Sequence, residues 1–127
     1  MNFLKLGKIA LAMVVVLGVV ALGSEGGKSI TVKGFVLDSA CAFTKDLKKP
    51  ISAECAIACA KAGSPLVILT DDGTIYWPIG DTTPSSGQND KLMPFAGHKV
   101  TASGKVFARG GSSALVIDKI EAQSDQK

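Results

Sequence analysis

The alternation of apolar and polar positions changes period several times along the chain, and each change marks an element. Residues 30–38 place Ile30, Val32, Gly34 and Val36 on one face and Thr31, Lys33, Phe35 and Leu37 on the other, a period of two that predicts a strand. The next ordered segment has helix signals instead. Ser52 is a good N-cap, Glu54 falls in the first turn, Lys61 in the last, and Gly63 followed by Pro65 ends the run. A helix over residues 53–62 follows. Its surface is Ala and Cys nearly all round, with Ile57 the only large apolar side chain, so it should lie closely against a sheet or loop.

Residues 66–70 and 74–77 are β-branched and aromatic runs separated by Asp71, Asp72 and Gly73, which predicts a hairpin. Pro78 has no N–H to donate and marks the strand's end or an edge. Residues 81–90 hold turn chemistry without an apolar anchor, the pattern of a mobile loop. Residues 91–96 predict one helical turn stopped by Gly97. Residues 99–108 alternate again, with Val100, Ala102, Val106 and Ala108 sharing a face, and a Gly-Gly turn in residues 109–112 leads to a last strand over residues 114–121. Five short strands in about 100 residues suit a small closed or partly open barrel. Thr31-x-Lys33-Gly34-x-Val36 is echoed by Thr101-x-Ser103-Gly104-x-Val106, and a mid-strand glycine in each copy permits the sharp coiling such a barrel needs.

The run Leu92-x-x-Phe95-x-Gly97-x-x-Val100-Thr101-x-x-Gly104-x-Val106, with Ile117-x-x-Ile120 in the closing strand, resembles the second half of small secreted bacterial OB-fold proteins. Gly34-Phe35-Val36-x-Asp38 resembles their opening strand. Residues 24–127 as a whole resemble a group of such proteins in which an Asp-x-x-Cys after the first strand is followed by two cysteines on a helix, here Asp38, Cys41, Cys55 and Cys59. The resemblance implies a mainly β, five-stranded OB-like barrel with a short Cys-bearing helix inserted between the first two strands. It carries no biochemical role.

Ahead of this domain, residues 9–22 are free of charge, follow Lys5 and Lys8, and lead through Ala21, Leu22 and Gly23 into polar residues. That is the order of a secretory signal peptide. As a helix the run reaches about 21 Å, short of the ~30 Å hydrocarbon core. Residues 1–23 are therefore expected to be a signal peptide, with a retained N-terminal membrane anchor as the alternative, and residues 24–127 the barrel domain of a periplasmic or secreted protein. Cleavage would take the formal charge from +3 to +1. No Lys/Arg stripe remains to meet phosphates, so nucleic acid is not an expected partner. Lys45, Lys48 and Lys49 read as a solvated loop. Membrane contact is expected only if residues 1–23 stay attached.

The three cysteines, Cys41, Cys55 and Cys59, all belong to the insertion. An odd count is awkward in an oxidising compartment. Cys55 and Cys59 are four apart on one helix face and suit shared ligation better than mutual bonding. A bridge is thus expected between Cys41 and Cys59, or alternatively Cys41 and Cys55, closing a loop of ~15–19 residues and stabilising by roughly 3 kcal/mol. With Cys59 bridged, Cys55 lies near the helix N-terminus, which favours an anion, and would be a candidate redox thiol. All three could instead ligate Cu(I), or Zn(II) with a fourth donor such as Asp38 or His98, though the spacing is not a familiar zinc pattern. No other cofactor is implied, since Cys-x-x-Cys and Cys-x-x-Cys-His are absent.

His98 reads as a surface residue, and Asp71 and Asp72 as turn formers. Tyr76 and Trp77 are adjacent on a strand, so one enters the core and the other is available for stacking. With Arg109 in the last hairpin, they are the candidate binding residues of the OB face and its loops. No Ser/His/Asp array, phosphate-binding glycine loop or spaced carboxylate pair points to an enzyme. The expected function is an exported non-catalytic binding or accessory domain that uses barrel loops and a disulfide-pinned helix to engage a protein or cell-envelope partner. The alternatives are metal binding through Cys41, Cys55 and Cys59, and thiol redox chemistry at Cys55.

Overall fold

A computed structural model describes residues 27–45 and 51–124, and the expected signal segment lies outside them. The elements are β1 (Lys28–Asp38), α1 (Ser39–Thr44), α2 (Ala53–Lys61), β2 (Leu66–Thr70), β3 (Ile75–Pro78), α3 (Asn89–Leu92) continuing into a 3-10 turn (Met93–Phe95), β4 (Lys99–Arg109) and β5 (Ser112–Ala122). The strands close a barrel in the order β1-β2-β3-β5-β4. β3 and β5 run parallel, and the other four neighbouring pairs are antiparallel. This is the five-stranded OB-like arrangement, with the Cys-bearing helix between the first two strands.

Closure depends on β1 serving two partners. Residues 28–35 pair with β4 and residues 34–38 with β2, so the strand changes partner at Gly34. A Cβ there would run into the Leu69 carbonyl. Gly104 stands at the register shift of the β4–β5 pair, where a Cβ would collide with the Val116 carbonyl oxygen. The glycines of the sequence echo thus sit where strands bend and approach most closely.

Val32, Val36, Leu66, Ile68, Val100, Ala102, Leu115 and Ile117 fill the interior. Leu92 and Ala96 add to it from the β3–β4 connection, and Ala56 and Ala60 from α2, whose small side chains allow close approach. The same connection joins the sheet: the Gly97 N–H donates to the Val36 carbonyl at 2.7 Å and the Val36 N–H to the His98 carbonyl at 3.1 Å.

The segment after β1 holds a short helix, α1, that the sequence pattern did not reveal. Two expectations need correction. Val106 and Ala108 do not join Val100 and Ala102 in the interior, because β4 outruns β1: their pairing ends at Val106, and residues 107–109 keep only β5 as a neighbour in the ladder. Finally, residues 81–90, expected as a mobile loop, are fastened at their end by a polar side chain, since Asn89 opens α3 and is tied to α2 and β2.

Candidate functional site

The insertion between β1 and β2 is organised around Asp38, which is 3% exposed. Its carboxylate caps α1, accepting from the Cys41 N–H at 3.1 Å, and its other oxygen accepts from the Ser64 hydroxyl. Ser64 is delivered by a Schellman ending of α2, in which the Gly63 N–H reaches the Ala60 carbonyl and the Ser64 N–H the Cys59 carbonyl. Gly63 takes the required left-handed conformation at φ 101°. One buried carboxylate therefore ties the start of α1 to the end of α2. Burial pushes the Asp38 carboxyl up, but hydrogen bonds from Ser64, from Cys41 and from the Ala40 backbone outweigh it and hold it below the ordinary 3.8.

Two further ties hold the insertion. The Ser39 N–H donates to the Pro65 carbonyl at 2.9 Å. The Asn89 amide donates to the Ser64 carbonyl at 2.8 Å and the Ala60 carbonyl at 3.3 Å, and its oxygen accepts from the Leu66 N–H at 2.9 Å. Ser52 caps α2 as expected, accepting from the Cys55 N–H at 3.1 Å.

All three cysteines are free thiols, so the expected Cys41–Cys59 bridge, and its Cys41–Cys55 alternative, are not formed. Burial, followed by the Asp38 charge and the neighbouring cysteines, pushes the Cys41 thiol above its ordinary 9.0. Burial, Asp38 and Cys55 push Cys59 up likewise. Cys41 and Cys59 are half-buried, whereas Cys55 is exposed. Among the described residues, no three His, Cys, Asp or Glu side chains converge as a ready-made metal cage. Zn(II) ligation by Asp38 fits poorly because both of its oxygens are already hydrogen-bonded, and His98 is exposed with only its backbone tied to β1.

Beside the thiols, α1 covers the outer face of β1 and β2. Leu37 and Val67 form a cross-strand pair outside the interior cluster, and both are buried together with Ala42. Phe43 extends further and meets Trp77 of β3, ring centroids 6.2 Å apart and tilted by 35°. Tyr76 turns the other way and packs on the interior, resolving the two aromatics as alternation requires. Phe43 remains 67% exposed, the most exposed large apolar side chain among the described residues. Sequence reasoning did not single it out, because its partner Trp77 is remote in sequence and α1 was unrecognised.

Trp77 also lines an open groove of about 630 Å³ with Pro65, Pro78, Ile79, Gly87 and Gln88. Arg109 is exposed in the β4–β5 hairpin, at the end where β5 runs beside the start of β3 (Tyr76 opposite Ser113). The cysteines lie at the opposite end, where Asp38 faces Leu66. The two loops flank the β2–β3 face rather than meeting on it. Asp71 and Asp72 are turn residues as expected: Asp72 accepts from Thr70 and Thr74, while Asp71 pairs with Lys99 at 3.1 Å. Among the described residues no helix is long and apolar enough to cross a membrane. Comparison of the chain with protein-family models, with curated proteins and with solved structures finds no match.

Proposed function

We propose that this chain is an exported, non-catalytic binding or accessory domain that engages a protein or cell-envelope partner through the Phe43–Trp77 face. The observation that carries this reading is the exposure of Phe43 while it is held in a fixed place by its stack on Trp77. A large aromatic left in water but positioned by a rigid neighbour is an anchor of the kind that dominates interfaces. It lies on the β2–β3 side by which OB-like barrels present ligand-binding surface, next to a groove of mixed polarity. The insertion supports it from below through Asp38, Ser64 and Asn89, which replace the expected disulfide as the pin. Export rests on the signal-like pattern of residues 1–23.

The test is covalent capture in the native envelope with a photoreactive group placed at the exposed Ser86, which lines the same groove as Trp77, followed by identification of the cross-linked species. Wild type should yield one dominant adduct, and Phe43→Ser should lose it while keeping its far-ultraviolet circular dichroism and its melting temperature. An undiminished adduct in Phe43→Ser contradicts the reading.

A further inference from the structure

We infer that the groove beside Trp77 binds a neutral saccharide chain, which gives the proposed cell-envelope partner its chemical class. The inference rests on the binding reading above and seats the occupant next to the Phe43–Trp77 stack. At about 630 Å³ the groove falls within the size range of ligand sites, and being open it suits a segment of a chain rather than a molecule engulfed whole. Trp77, Pro78 and Ile79 at the end of β3, with Pro65, give it apolar surface, and the segment from Ser85 to Asp90 gives it polar surface. A sugar ring has the same division, with C–H groups on its faces and hydroxyls at its rim. OB-like barrels use this side of the sheet for oligosaccharides as well as oligonucleotides.

The polar groups of the groove are held in place and chiefly accept. Asn89 is spent on the Leu66 N–H and on the Ala60 and Ser64 carbonyls, so it fixes the start of α3 and with it the residues on either side. On one side the Gln88 amide donates to the Ser86 carbonyl at 3.0 Å, which leaves its oxygen as an acceptor. On the other, Asp90 is exposed and its carboxylate makes no ion pair among the described residues. Acceptors held this way bind hydroxyl donors with little ordering left to lose. Other occupants fit less well. No Lys, Arg or His of the described residues lines the groove, so a polyanion would meet Asp90 with no cation to offset it. A purely apolar segment would cover the Gln88 oxygen and the Asp90 carboxylate without giving either a partner. An extended peptide brings a carbonyl for every N–H, and those carbonyls find few donors among these side chains.

The chain has one tryptophan, so Trp77 emission reports on this groove alone. The experiment follows that emission while the protein is titrated to millimolar concentrations of three neutral hexasaccharides, cellohexaose, maltohexaose and chitohexaose. At least one should give a saturable blue shift as water leaves the ring. Asp90→Ala should weaken its binding about tenfold or more and Gln88→Ala about threefold or more, the loss of one hydrogen bond to a charged and to a neutral acceptor. Gln88 makes no side-chain capping bond to α3, so its replacement leaves the fold in place. Binding should be insensitive to salt, because the occupant carries no charge. The inference is overturned by the absence of saturation with all three sugars, or by wild-type affinity in both variants. A steep loss with salt also overturns it, since that marks a cationic occupant paired to Asp90. If the sugars fail while the probe at Ser86 still captures an adduct that requires Phe43, the saccharide assignment falls and the binding face stands. An adduct that ignores Phe43 removes the face itself.

Discussion

The Ser64 hydroxyl donates to the buried Asp38 carboxylate, joining the last turn of α2 to the first turn of α1 across an insertion that carries all three cysteines. A hydrogen bond to a charged group contributes about 1.5–3 kcal/mol. Ser64→Ala should therefore lower unfolding free energy by about that amount in urea titrations, with no change in denaturant slope. A loss below about 0.5 kcal/mol, the range of an ordinary surface change, would remove Asp38–Ser64 from its place as the pin.

The same pair sets a pH dependence. The Asp38 carboxyl is held below its ordinary 3.8, so the folded state binds this proton less readily than the unfolded chain. Its stabilisation is fully present above the unfolded value and is lost as pH falls through the depressed folded one. The stability gap between wild type and Asp38→Asn should be constant above about pH 5 and shrink as pH drops below 3.8. A gap that widens on acidification contradicts the assignment.

Asn89 satisfies two carbonyls and the Leu66 N–H from one side chain. Asn89→Ala leaves these groups without their partner, at about 1–3 kcal/mol for a buried one. The variant should be destabilised by roughly that amount, and hydrogen exchange at the Leu66 amide should accelerate more than at Ile68. Uniform acceleration across β2 would instead mean that Asn89 acts only through global stability.

Gly104 and Gly87 make a matched pair of substitutions. A Cβ at Gly104 meets the Val116 carbonyl oxygen, whereas at Gly87 it meets nothing within 4 Å. Gly104→Ala should cost at least 1–3 kcal/mol by forcing backbone shifts, and Gly87→Ala should stay within about 0.5 kcal/mol of wild type. Equal melting temperatures for the two variants would contradict the close strand approach at the bulge.

Much of this architecture was legible because local chemistry and tertiary structure agree. The alternation of residues 30–38, the Ser52 cap with its Gly63 stop, and the Asp-Asp-Gly turn each specify their element without distant help. The paired glycines, Gly34 and Gly104, pointed to strand coiling that the barrel does contain. α1 was missed because six residues offer too little length for a helical period to show. A signal was nonetheless present. Asp38-x-x-Cys41 has the N-cap spacing of Ser52-x-x-Cys55, and both caps accept from the amide of the cysteine three residues on. Asp38 was read as part of the Asp-x-x-Cys motif and as a possible fourth zinc donor, not as a cap. The Asn89 hub and the Phe43–Trp77 stack were beyond sequence reasoning, because each joins segments more than twenty residues apart through side-chain geometry. The cysteine count posed the redox question, and in the structure the three thiols are unbridged.

The central claim is that hydrogen bonds, not a disulfide, hold the insertion and leave three thiols free. Intact-mass analysis tests it most directly: protein taken from its native compartment, denatured without reductant in the presence of an alkylating agent and a chelator. The account predicts three added alkyl groups, on Cys41, Cys55 and Cys59. A single added group, with the other two cysteines linked, would contradict it.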